Sequence, residues 1–80
     1  EMEPFSLQVG AYSEQKNADN QKRQLNAAGF LARVDLKESN GRTLFVVKIG
    51  YYPDREIAKD SALELKNTLG IDTFIVENKK

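Results

Sequence analysis

The sequence predicts an α+β domain of order βαββαβ, a four-stranded antiparallel sheet with two helices on one face. Three observations predict it. The chain echoes itself at an offset of forty residues, its apolar residues switch between strand and helix spacing, and Asn40-Gly41 marks a hairpin between the second and third strands. At that offset Phe5 falls on Phe45, Gly10 on Gly50, Tyr12 on Tyr52, Ala18 on Ala58 and Leu25 on Leu65. Val9 meets Ile49 and Glu14 meets Asp54 as conservative pairs, and after a one-residue slip Gly29 corresponds to Gly70. So many matches in one register imply two copies of a strand–helix–strand unit.

Each element has its own local support. Phe5, Leu7 and Val9 alternate with Ser6, Gln8 and Gly10, the period of a half-buried strand. Gly10-Ala11-Tyr12 and Gly50-Tyr51-Tyr52 read as matching strand-to-helix turns, where glycine permits a positive φ. Over residues 17–28, Ala18, Leu25 and Ala28 share one helical face with Gln21 and Lys22 between them, and Gly29 stands where a left-handed residue ends a helix. Residues 31–37 alternate again, with Ala32, Val34 and Leu36 on one side and Arg33 and Asp35 on the other. A third strand covers 43–49. Pro53-Asp54 opens the second helix with Asp54 as N-cap and Glu56 in the first turn, and Ala58, Ala62, Leu65 and Leu69 form its buried stripe. Gly70 closes that helix, and residues 73–77 form a short last strand. Residues 1–4 and 78–80 are expected to be tails around a domain at 5–77, and the opening Glu1-Met2 reads as a cut from a longer protein.

Composition limits what such a domain does. Eighty residues make one thin core and leave no room for an enclosed cleft. Twelve basic and twelve acidic residues give no net charge, which argues against phosphate-backbone binding. There is no cysteine and no histidine, so thiol chemistry, the commonest metal ligand and the usual general base are all missing. Asp60 and Glu64 sit one helical turn apart, but an exposed helix surface leaves both ionised, and no catalytic pair is expected. No phosphate-binding glycine pattern and no membrane-spanning apolar run occur in the sequence. No catalytic residue, metal site or cofactor is expected.

Function is expected on the sheet face that the helices leave open. With Leu7, Phe45, Val47, Phe74 and Val76 turned to the helices, alternation turns Gln8, Leu44, Val46, Lys48, Thr73 and Ile75 outward, joined by Leu31, Arg33 and Asp35. Leu44, Val46 and Ile75 would form an apolar strip, with the Gln8 amide beside it and the Arg33 and Lys48 cations at its margin. Single outward apolar residues on a sheet are also ordinary, and a partner could cover such a strip. Tyr12 and Tyr52 are expected to pack beneath their turns, whereas Tyr51 lacks an apolar echo partner and is expected to be exposed.

The segments FSLQVGAY (residues 5–12) and FVVKIGYYP (residues 45–53), with Asn17-Ala18 and the Gly29-Phe30 stop, resemble the paired signatures of the SPOR family over nearly the whole chain. The resemblance implies non-catalytic binding of peptidoglycan glycan strands stripped of stem peptides. It also implies an extracytoplasmic location in the cell envelope and targeting of a larger protein to the division septum. Gln8 matches the family's frequent glycan-binding glutamine. Leu44 stands where several members place Trp, Val46 where some place Arg, and Ile75 where an apolar contact lies in the last strand. Ala11 stands where a Ser often follows that glutamine. The inferred glycan-binding set is Gln8, Leu44, Val46, Ile75, Arg33 and Lys48, in a monomeric domain that neither inserts into a membrane nor binds nucleic acid.

Two other readings start from the same face. The Leu44-Val46-Ile75 strip would serve a protein-interaction or dimerisation module. The element order is also that of ferredoxin-like and RNA-recognition folds, but the outward positions of the central strands carry no aromatic side chain for base stacking.

Overall fold

The computed structural model describes residues 4–77, and the expected tails lie outside that range apart from Pro4. The elements follow the order β1 (Phe5–Tyr12), α1 (Gln15–Ala27), β2 (Ala32–Ser39), β3 (Arg42–Tyr52), α2 (Arg55–Leu69) and β4 (Phe74–Glu77). The strands lie in the order β2-β3-β1-β4, every neighbouring pair antiparallel. The two units that echo each other in sequence therefore interleave, each contributing one central and one edge strand.

The echo carries into the core. Leu7, Val47, Ala18, Ala58, Leu25 and Leu65 are all buried together with Ala32 and Ile49, and both helices pack on the same sheet face. Each helix presents a buried alanine and, seven residues later, a buried leucine to the strands. That spacing is two helical turns, so both fall on one stripe. Tyr12 and Tyr52 pack against the edge of this core, as expected for structural aromatics.

The caps and the hairpin follow local chemistry. The Asp54 carboxylate accepts a hydrogen bond of 2.9 Å from the Ile57 amide, satisfying an orphan donor at the start of α2. Its counterpart Glu14 makes no such bond at the start of α1. In the hairpin between β2 and β3, Asn40 has φ 53° and Gly41 φ 77°. Two consecutive positive values match the twist of the flanking strands, which is why Asn-Gly is favoured there.

The Gly-x-Tyr segments are strands rather than turns. β1 continues to Tyr12 and β3 to Tyr52, each with a bulge where a turn was expected. On β1 the residues from Gln8 to Gly10 oppose only Lys48 and Val47, so Val9 is the extra residue. On β3 the step from Ile49 to Tyr52 faces the shorter step from Leu7 to Phe5, which puts the extra residue at Gly50-Tyr51. The two glycines also differ in purpose. Gly50 has φ 66°, whereas Gly10 lacks a positive φ and is instead crowded by the Gln21 side chain, which a Cβ would strike. Sequence symmetry at these positions thus conceals two backbone solutions.

The last strand runs in the opposite phase from that expected. Ile75 pairs with Leu7 and packs into the helix-side core, so Phe74 and Val76 lie with Gln8 and Ser6 on the open face. Three consecutive apolar residues leave the phase of a four-residue strand undetermined by alternation, and pairing with β1 decides it.

Candidate functional site

The open face is organised around the central strands. Gln8 on β1 stands opposite Lys48 on β3, and Lys48 in turn opposes Arg33 on β2. Two residues further along β2 and β3, and three along β1, Asp35, Val46 and Ala11 form a second row across the same strands. The Val9 bulge is what places residues 8 and 11 on one face, since three residues of regular strand would turn them apart. Gln8, Asp35, Val46, Lys48 and Val76 line a trough of about 720 Å³ that reaches across all four strands.

The polar groups in the trough are already ordered. The Asp35 carboxylate lies 3.2 Å from the Lys48 ammonium and 3.8 Å from Arg33 Nε. Arg33 points inward: Nη1 donates to the Gly50 carbonyl at 3.1 Å and Nη2 to Ser6 Oγ at 2.9 Å. Ser6 Oγ donates to the same carbonyl at 2.6 Å. The guanidinium stacks 4.0 Å from the centroid of the Tyr51 ring. Ser6 is fully buried beneath this assembly.

Of the residues expected to form the site, Gln8, Val46, Lys48 and Arg33 come together on the open face, with Leu44 further along β3 opposite Lys37. Ile75 does not join them. The expected apolar strip is likewise dispersed, because Val46 is only 3% exposed between its cross-strand neighbours and Ile75 is on the other side. Leu31 precedes β2 and is 73% exposed. Ser6, Tyr51, Phe74 and Val76 were not among the expected site residues. Tyr51 had a visible signal, because it stands opposite Ala11 in the echo and breaks it. A separate groove, between α2 and β4, is lined by Lys59, Leu63, Lys66 and Phe74 among others and lies away from this assembly.

Comparison with known proteins agrees with the architecture. The peptidoglycan-binding domain of the Bacillus subtilis cell wall lytic enzyme CwlC, known from a solution structure, superposes with a TM-score of 0.74 at 31% identity over 94% of this chain and 89% of that one. The crystal structure of the RlpA SPOR domain from Pseudomonas aeruginosa gives a TM-score of 0.76 at 17% identity, covering 92% of this chain and 99% of its own, a likeness of fold. No match is found among curated proteins. The model of the SPOR domain matches residues 1–77. With the interleaved echo, the four-stranded sheet and this match across nearly its full length, the chain belongs to the SPOR domain family.

Proposed function

We propose that the chain binds peptidoglycan through the open sheet face, that it selects glycan strands stripped of their stem peptides, and that it thereby brings a larger envelope protein to the division septum. The observation that carries this reading is the trough around Gln8, on a chain 31% identical to a peptidoglycan-binding domain. The trough has the composition a sugar chain requires. Val76 offers an apolar surface for pyranose C–H faces over buried Val46, while the Gln8 amide both donates to and accepts from hydroxyl and N-acetyl groups. Lys48, held by Asp35 in a partly exposed pair worth about 0–1 kcal/mol, is cheaply redirected to a lactyl carboxylate. Removing the stem peptide uncovers that carboxylate, which gives the preference for stripped strands a chemical basis.

Val76, which lines the trough, takes the place in the last strand that Ile75 was expected to fill. Binding is non-covalent and non-catalytic, by a monomer acting on the extracytoplasmic side of the envelope. Among the described residues no helix is long and apolar enough to cross a membrane. Co-sedimentation with purified sacculi tests the proposal: the domain should pellet, and more of it should pellet after an amidase has removed the stem peptides. Equal pelleting before and after amidase would remove the claim of selectivity, and no pelleting at all would remove the claim of binding.

A further inference from the structure

We infer that Tyr51 is a second glycan contact, an aromatic platform at the far end of the open face, and that Arg33 is the positioning residue that fixes it. The inference rests on the proposed function and extends the same surface. Four observations converge on it. Tyr51 occupies the β3 bulge beside Gly50, whose φ of 66° turns the strand at that point. Its ring lies 4.0 Å from the Arg33 guanidinium, so one edge of the assembly is held by a cation over the π face. Arg33 is itself anchored by the Gly50 carbonyl and by buried Ser6. Tyr51 nevertheless keeps 40% of its surface exposed, so the ring remains open to a ligand.

The platform is continuous with the trough. Asp35 touches both Lys48, which lines the trough, and Arg33, which carries Tyr51. Along β3, Lys48 and Tyr51 are three residues apart, about 10 Å at the rise of a strand. A glycan strand seated on Gln8 and Lys48 and running along β3 would therefore reach the ring with a later sugar unit. A rigid aromatic face suits the C–H side of a pyranose, because the ring's negative face meets weakly positive hydrogens and little side-chain freedom is lost. Tyr51 would thus supply, at another place on the sheet, the flat surface that Leu44 and Val46 do not.

The test uses peptide-free glycan strands, prepared by amidase digestion of sacculi and fractionated by length, titrated calorimetrically into the domain. Affinity of the unaltered domain should rise with strand length. Tyr51→Ala should match it on the shortest strands that bind and lose about five- to tenfold on long ones. Tyr51→Phe should track the unaltered domain, since the ring face and not the hydroxyl makes the contact. Tyr51→Leu, which keeps apolar bulk against Arg33, should behave as Tyr51→Ala. The Tyr51 ring protons should shift in NMR spectra only with strands long enough to show the gain. If Tyr51→Ala and Tyr51→Leu bind long strands as the unaltered domain does while Gln8→Ala loses affinity, the platform is overturned and the proposed function stands. If the unaltered domain binds no strand of any length, the proposed function fails and takes the platform with it.

Discussion

Ser6 and Arg33 hold the Gly50 carbonyl from two directions, at 2.6 and 3.1 Å, inside a strand bulge. A buried hydroxyl that both donates to a carbonyl and accepts from a guanidinium is a satisfied polar group, and removing it leaves the Arg33 donor without that acceptor. Ser6→Ala is expected to destabilise the domain by about 1–3 kcal/mol, read from urea denaturation midpoints. An unchanged midpoint would mean the Ser6 bonds contribute nothing net. Gln8 is the opposite kind of residue, half-buried on the lining of the trough. Gln8→Ala should leave stability within about 0.5 kcal/mol while sharply reducing the fraction pelleted with sacculi. The place of Gln8 on the open face was legible because strand alternation pointed to it. Ser6 was not, because a serine in an alternating strand looks like any solvated residue until Arg33, 27 positions away, is folded onto it.

At the scale of elements, the bulges decide which side chains share a face. The extra residue at Val9 brings Ala11 round to the side of Gln8, and the extra residue at Gly50-Tyr51 lets β3 present Tyr51 to Arg33 while Tyr52 returns to the core. Gly50→Ala should be costly on two counts. A left-handed conformation costs a non-glycine residue about 1–2 kcal/mol, and the new Cβ would sit 2.7 Å from the Tyr52 hydroxyl. The expected outcome is a melting temperature lowered by several degrees, with weakened sacculus binding as the Arg33 anchor moves. A melting temperature equal to that of the unaltered domain would show that the bulge relaxes freely. Helices, caps and the Asn40-Gly41 hairpin were legible because their signals are local. The bulges were not, since a glycine followed by tyrosine fits a turn as readily as a bent strand. The phase of β4 was also out of reach: Phe74, Ile75 and Val76 are all apolar, and only the pairing of Ile75 with Leu7 selects the buried one.

For the whole molecule, two short units share one small core and leave a complete sheet face to solvent. Leu7, Leu25, Leu65 and Val47 are its largest fully buried apolar side chains, one each from β1, α1, α2 and β3. An eighty-residue domain is stable by about 4–12 kcal/mol, whereas Leu65→Ala removes about 2–5 kcal/mol through lost burial and a residual cavity. That variant should unfold at a markedly lower urea concentration, and a midpoint shift under about 0.5 M would contradict the assigned core. The forty-residue echo made this architecture readable, because equivalent residues such as Ala18 and Ala58 occupy equivalent buried positions. It could not tell which face binds, since the residues proposed to bind are where the two halves differ: Gln8 against Lys48, and Ala11 against Tyr51. The central claim is that the open sheet face, and not the helices or the α2–β4 groove, meets the glycan. Backbone amide NMR of the domain titrated with peptide-free glycan strands tests it most directly. Shifts are expected at Gln8, Ala11, Asp35, Val46, Lys48 and Val76, with α1 and α2 unmoved; shifts concentrated on the helices or around Leu63 and Lys59 would place the glycan elsewhere and overturn the assignment.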